Sequence, residues 1–148
     1  MEMQEDFKEL LALFGKNKVE YIVVGAFALA YHGVPRYTGD LDILINAVPD
    51  NAENIIQALK AFGFGSLNLN PSDFTKRDQV VQLGYPPVRI DIITSITGVS
   101  WEEADAGKSV HVIGDLEICF LGRKELIRNK KATGRKKDLA DLEALGEV

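Results

Sequence analysis

Apolar and polar positions alternate along the N-terminal third of the chain in blocks that predict helix, strand and helix in turn. Four apolar residues share the i, i+3, i+4, i+7 spacing of an amphipathic helix: Phe7, Leu10, Leu11 and Phe14. We expect this helix to end near Gly15. The β-branched run 21–24 predicts a strand that ends at Gly25, and strong helix formers follow it from 26 to 32.

The middle of the chain predicts a second strand and a third helix. Residues 40–45 form the apolar strand pattern, interrupted by two aspartates. Apolar residues at helical spacing follow from Ala52 to Leu59, with Pro49 suited to the first turn and Gly63 to the end. The polar segment 65–78 is expected to be a long loop with one helical turn around Phe74.

Four short apolar runs in the remaining sequence predict two pairs of strands. These runs cover 80–83, 88–93, 110–113 and 116–121, and a turn sequence separates the members of each pair. Two helical stretches, 123–132 and 135–145, close the chain. This order predicts an α+β fold with a mixed β-sheet flanked by helices and a C-terminal helical tail.

Length and charge narrow the class of protein. A chain of 148 residues, 46% hydrophobic, is the size of one domain with one core, so we assign residues 1–148 to a single domain. It has no apolar run of about 20 residues, and its N-terminus is acidic, so we expect a cytoplasmic protein without a membrane span. The net charge of -5 argues against general attraction to polyanions, although basic residues cluster between 123 and 137.

Three aspartates on predicted strands are the candidates for chemistry. Side chains alternate between the faces of a strand, so Asp40 and Asp42 point the same way, about 6–7 Å apart. Asp91 projects as a single carboxylate from the apolar run 88–93. Clustered carboxylates repel unless a cation neutralises them, and hard oxygen ligands suit Mg²⁺ or Mn²⁺. The pattern predicts a metal site, with an ordinary strand-end aspartate as the alternative, above all for Asp40.

Gly25 is a candidate for contact with a phosphate. It ends the first strand and opens a helix, where backbone N–H groups can receive an anion. A plain turn without a ligand is the alternative. The chain lacks the Gly-x-x-x-x-Gly-Lys-Ser/Thr sequence, which excludes a P-loop nucleotide site.

Taken together, these residues resemble the opening motif of the DNA polymerase β-like nucleotidyltransferase superfamily. The residues that carry the resemblance are Val24, Gly25, Ala26, Gly33, Arg36, Thr38, Asp40, Leu41 and Asp42. Their spacing, with the tail that contains Lys130, Arg135, Lys137, Asp138 and Asp141, is similar to the small AbiEii-type nucleotidyltransferases known from toxin–antitoxin systems. The resemblance covers nearly the whole chain.

The resemblance implies a nucleotidyltransferase fold and a Mg²⁺- or Mn²⁺-dependent enzyme that moves a nucleoside monophosphate from a nucleoside triphosphate such as ATP to an acceptor hydroxyl, releasing pyrophosphate. The implied catalytic metal ligands are Asp40, Asp42 and Asp91, with Asp91 nearest the acceptor. The implied nucleotide-binding residues are Gly25, Ala26, Arg36, Lys130, Lys137 and Asp138. The acceptor stays open among the 3′ end of tRNA, a protein hydroxyl and a small molecule, and a partner protein is compatible with the toxin–antitoxin subgroup.

Ala26 departs from the family pattern, which has Gly or Ser at this position. Alanine keeps the backbone N–H and adds a methyl group, so we expect weakened or altered contact with the triphosphate. The alternative function is therefore a catalytically degenerate member that acts as a binding module or as half of a toxin–antitoxin pair. For Arg36, contact with phosphate and bracing of the loop both stay open, whereas bracing is favoured for Thr38.

Overall fold

The computed structural model describes residues 3–35, 39–85 and 88–147. Six α-helices lie in that part of the chain: α1 (Glu5–Lys16), α2 (Gly25–Tyr31), α3 (Pro49–Leu59), α4 (Trp101–Gly107), α5 (Arg123–Thr133) and α6 (Lys136–Ala144). The strands are β1 (Tyr21–Val24), β2 (Asp40–Ile45), β3 (Val80–Tyr85), β4 (Val88–Ile93), β5 (Ser109–Ile113) and β6 (Leu116–Phe120). Each helix and strand predicted from the sequence is present to within a few residues, and α4 is an addition.

Helix α4 begins with a reciprocal pair of hydrogen bonds at its N-terminus. The Glu103 N–H donates to Ser100 Oγ at 3.1 Å, and the Ser100 N–H donates to Glu103 Oε1 at 3.0 Å. This capping box satisfies two backbone donors that would otherwise lack partners at the start of the helix. Trp101 is the first residue of this helix, and its partly buried side chain packs against the hydrophobic core.

The segment after α3 contains more helical structure than the predicted loop. The chain continues from α3 through a wider helical turn over 60–64, in which Gly63 has φ +114°, a conformation that glycine adopts without strain. Two short 3₁₀ turns follow, Gly65–Leu67 and Pro71–Phe74. The second contains the fully buried Phe74, so the helical turn predicted around that residue is confirmed.

The sheet is mixed, as the sequence predicts, and its strand order is β3-β4-β2-β1-β6-β5. The central strand β2 is antiparallel to β1 and parallel to β4, while β1 is parallel to β6. The outer strands β3 and β5 pair antiparallel with their neighbours. This order puts the two aspartate-bearing strands, β2 and β4, side by side.

Alternation along β2 separates the core from the exposed chemistry. Leu41, Ile43 and Ile45 are fully buried, whereas Asp40 and Asp42, which alternate with them, are partly exposed. The hydrophobic core of the described residues is continuous between the sheet and the helices, and four of its largest fully buried side chains are Phe7, Phe14, Phe74 and Phe120. No helix in the described ranges is both long and apolar enough to cross a membrane.

Candidate active site

The sheet register brings the three aspartates together. In the parallel pair β2–β4, Asp42 lies directly opposite Asp91, and Asp40 lies opposite Arg89. On its other side, Asp42 lies opposite Val24, the last residue of β1. The three carboxylates therefore share one face of the sheet at the point where β1 ends, although 49 positions separate Asp42 from Asp91 in the sequence.

Arg89 joins two of these carboxylates. Its Nη2 lies 2.9 Å from Asp40 Oδ2 and 3.2 Å from Asp91 Oδ2. Sequence reasoning missed this residue, although strand alternation places Arg89 on the same face as Asp91. Its pairing with Asp40 depends on the register between β2 and β4, which the sequence does not specify.

Gly25 lies directly against the central carboxylate. Its φ of +67° is a left-handed conformation, and a Cβ atom added there would lie 2.2 Å from Asp42 Oδ2. Any side chain at this position would displace the Asp42 carboxylate. The glycine turn and the aspartate pair, two separate motifs in the sequence, are thus parts of one site.

Burial and the neighbouring carboxylates change the ionisation of Asp42. The pKa of Asp42 is raised from 3.8 to about 6, chiefly because burial disfavours the charged form, and further because of the charges of Asp91 and Asp40. The Arg89 guanidinium offsets part of this rise. Asp91 is 7% exposed, and its Oδ1 is buried without a hydrogen-bond partner among the described residues.

The donor set fits a hard divalent cation. Carboxylate oxygens are the ligands that Mg²⁺ and Mn²⁺ prefer, and a cation would relieve both the raised pKa of Asp42 and the unsatisfied Asp91 Oδ1. In the arrangement seen here, no three His, Cys, Asp or Glu side chains of the described residues are gathered as a metal-binding group. Instead, the Arg89 guanidinium supplies positive charge to Asp40 and Asp91.

A cleft of about 700 Å³ lies beside the carboxylates and reaches the C-terminal helices. Its walls come from the β1–α2 turn, from β2, from the segment after β4, and from α5 and α6. Five residues predicted as site residues line it: Gly25, Ala26, Asp42, Lys130 and Lys137. Residues that sequence reasoning did not assign to the site also line it, among them Thr97, Asn129, Thr133 and Arg135.

The lysines of the cleft differ in their surroundings. Lys130 is only 8% exposed, and its Nζ lies 3.2 Å from Asp138 Oδ1 and 3.1 Å from Asp141 Oδ2. Lys137 is exposed and makes no ion pair with the residues that the structure describes. Lys137 is therefore the better placed of the two to meet an anion, while Lys130 joins α5 to α6.

Asp138 lies beneath the cleft surface. It is fully buried, and Arg135 Nε donates to its Oδ2 at 2.7 Å. Hydrogen bonds from Arg135, and to a smaller extent from Lys130, hold the pKa of Asp138 well below its usual range. Asp138 thus orients Arg135 and Lys130 and is not among the residues that line the cleft.

Arg36 and Thr38 lie outside the described residues. Their assignment to phosphate contact or to loop bracing stays a prediction.

Solved structures resemble this fold, although no family model and no curated protein matches the sequence. TM1012 from Thermotoga maritima, provisionally assigned as a nucleotidyltransferase, superposes with a TM-score of 0.60 at 15% identity, over 93% of this chain and 88% of that one. The lincomycin-bound lincosamide antibiotic adenylyltransferase LnuA gives a TM-score of 0.57 at 16% identity, over 97% and 96%. At this identity the likeness shows the fold: an α+β nucleotidyltransferase fold over nearly the whole chain.

Proposed function

We propose that this protein is a Mg²⁺- or Mn²⁺-dependent nucleotidyltransferase, which transfers a nucleoside monophosphate from a nucleoside triphosphate to an acceptor hydroxyl. The observation that carries the proposal is the contact between the Gly25 turn and Asp42, which stands opposite Asp91, at a cleft that also contains Lys137. A phosphate-receiving turn, paired carboxylates and an unpaired cation are the parts that phosphoryl transfer needs.

Asp40, Asp42 and Asp91 are the proposed metal ligands. Divalent ions bound there would neutralise the carboxylates and the triphosphate and would polarise the α-phosphate. For Asp42, burial and the like charges of its neighbours already raise the cost of ionisation without a cation.

The triphosphate would lie in the cleft between the start of α2 and the start of α6. The first backbone N–H groups of a helix have no partner within it, so those of Gly25 and Ala26 would be the donors that an anion meets there. Lys137 adds a full positive charge from the other wall. Arg135 also lines the cleft, and its side chain is 59% exposed, although its guanidinium forms an ion pair with Asp138.

In the proposed reaction, the acceptor hydroxyl oxygen bonds to the α-phosphorus while the bond from that phosphorus to the bridging oxygen breaks, and pyrophosphate leaves. A metal ion held by Asp91 would lower the pKa of the acceptor hydroxyl, which would lose its proton to solvent as the new bond forms. Lys137 would offset the charge that develops on the pyrophosphate.

Small hydroxyl compounds are the first acceptors to test. LnuA, which shares the fold, is a lincosamide antibiotic adenylyltransferase. The net charge of -5 disfavours a polyanion such as tRNA, whose binding depends on dense positive charge. Protein hydroxyls and the tRNA 3′ end should be tested as acceptors as well, because basic residues do cluster near the cleft.

Ala26 provides the test of catalysis. Its methyl group lines the cleft, and a displacement of the triphosphate by about 1 Å can lower the rate on the order of a hundredfold. We expect Ala26→Gly or Ala26→Ser to raise pyrophosphate release from labelled nucleoside triphosphates incubated with total RNA, total protein or small hydroxyl compounds. Asp42→Asn in the same background should abolish that release.

The same assay separates the enzyme from a degenerate binding module. If the wild type turns over and neither replacement improves it, Ala26 is a tolerated variant and the enzyme proposal stands. If no variant releases pyrophosphate with any acceptor while the protein captures a partner chain, the proposed activity is wrong.

A further inference from the structure

We infer that Arg89 is the counter-ion of the carboxylates in the metal-free protein. A divalent cation must displace the Arg89 side chain in order to bind to Asp40 and Asp91. The inference rests on the proposed function and deepens it, because it assigns to this chain its own control over metal entry. Metal binding would then be weak in the free protein and would strengthen when nucleotide supplies further ligands.

The geometry makes Arg89 and a metal ion alternatives. One guanidinium nitrogen, Nη2, lies between Asp40 Oδ2 and Asp91 Oδ2, at 2.9 and 3.2 Å. Mg²⁺ requires its oxygen ligands at about 2.0–2.1 Å. A cation that used these two oxygens would occupy the position of Nη2, and the two positive charges would also repel each other.

Arg89 is not built into the fold as a fully satisfied ion pair would be. Its Nε is buried and has no hydrogen-bond partner among the described residues. An arginine that served only to brace two carboxylates would use its planar fork in paired hydrogen bonds. Here a single nitrogen makes both charged contacts, and the side chain is 33% exposed, so it has a route into solvent.

The arrangement of strands allows the Arg89 side chain to move away from the carboxylates without loss of core packing. Asp40 and Arg89 lie at or next to the first residues of β2 and β4, and β4 is followed in the sheet only by the edge strand β3. The core-facing neighbour of Arg89, Ile90, is buried on the opposite face of the strand. Movement of the Arg89 side chain therefore disturbs the carboxylates without disturbing the core.

Metal affinity without nucleotide tests the inference. Mn²⁺ binding would be measured by electron paramagnetic resonance and calorimetry on the wild type, Arg89→Met, Arg89→Gln and Arg89→Lys. We expect Arg89→Met and Arg89→Gln to bind Mn²⁺ at least about tenfold more tightly than wild type, the effect that one opposite charge at this distance has on an ionisation equilibrium. Arg89→Lys keeps the charge and should stay close to wild type.

Arg77→Met is the matched control, because Arg77 is an exposed arginine whose closest carboxylate oxygen, on Asp78, is 4.0 Å away. It should bind Mn²⁺ as wild type does. Addition of Asp42→Asn to Arg89→Met should remove the gain, which locates the ion at the carboxylates. If Arg89→Met does not fold without metal, Arg89→Gln carries the measurement, since its amide can still donate to a carboxylate.

The possible outcomes separate this inference from the proposed function. Equal Mn²⁺ affinity in wild type and both neutral variants, or weaker binding in the variants, would mean that Arg89 does not compete with metal. The proposed activity would be unaffected by that result. If neither wild type nor variants bind Mn²⁺, even with nucleotide present, the metal site itself is wrong and both proposals fall.

Discussion

Two features of the structure act on the Asp42 carboxylate. Gly25 leaves the space that its Oδ2 occupies, and the charges of Asp40 and Asp91 oppose its ionisation. Selection for stability alone would not retain such an arrangement, because clustered like charges destabilise the folded state. The destabilising effect of the Asp42 charge supports the proposed metal-binding role, and this effect can be measured as a function of pH.

We predict that the metal-free protein loses stability as pH rises from about 4 to about 6. The pKa of Asp42 is about 6 in the folded state against 3.8 for the free side chain, so the folded state holds this proton more tightly. Deprotonation between these values lowers the free energy of unfolding by on the order of 2–3 kcal/mol. Thermal unfolding in a chelating buffer would show that Asp42→Asn is more stable than wild type at pH 8.

The advantage of Asp42→Asn should disappear below about pH 4, because the wild-type carboxyl is then protonated in both states. A constant difference in melting temperature between the two proteins across the whole pH range would show that Asp42 does not titrate with a raised pKa. Asp50→Asn is a suitable control, since Asp50 is exposed in the first turn of α3.

At the level of elements, α5 and α6 are held together by charge as well as by apolar packing. Lys130 on α5 lies against Asp138 and Asp141 on α6, and all three are buried. The basic stretch 123–137 is therefore heterogeneous: Lys130 is structural in its contacts, Arg128 pairs with Glu103 on the surface, and Lys137 lines the cleft.

We predict that Lys130→Met destabilises the protein far more than Lys131→Met. Removal of Lys130 takes a buried cation away from two buried carboxylates, although Asp138 keeps its contact with Arg135. Loss of one partner of a buried ion pair costs about 3–5 kcal/mol. Lys131 is exposed, and its replacement should change the free energy of unfolding by about 0.5 kcal/mol or less. Urea unfolding at neutral pH would measure both. Similar small losses would mean that the buried network does not support the helix pair.

At the scale of the molecule, the candidate site is assembled from five elements spread over residues 25–144. Gly25 comes from α2, Asp42 from β2, Asp91 from β4, Lys130 from α5 and Lys137 from α6. Metal and triphosphate would each contact only part of this set. Each ligand should therefore complete the site for the other.

We predict that Mg²⁺ and a non-hydrolysable nucleoside triphosphate stabilise the protein cooperatively. Each ligand alone should raise the melting temperature slightly, and the two together should raise it by more than the sum, because each ligand increases the affinity for the other. Differential scanning fluorimetry with Mg²⁺, the analogue and both would measure this coupling. Strictly additive shifts, or coupling that persists in Asp42→Asn, would mean that the two ligands do not meet at the carboxylates.

The sequence by itself determined the local elements, because their signals lie within a few residues of one another. The spacing of Phe7 to Phe14 defined α1, and alternation along 40–45 separated the aspartates from the core residues of β2. The sequence also contains a signal for α4 that the hydrophobic pattern does not reveal. Ser100 followed three residues later by Glu103 is a capping-box pattern.

Only the tertiary structure decided which groups meet. The register between β2 and β4 pairs Asp42 with Asp91 and brings Arg89 to Asp40, and no local pattern specifies a register between strands more than 40 residues apart. The contact of Gly25 with Asp42 and the burial of Lys130 between two carboxylates likewise depend on packing between distant elements. The sequence specifies the chemistry of each side chain. Shifted pKa values, ion pairs and the shape of a cleft arise only when separate elements come within a few ångströms of one another.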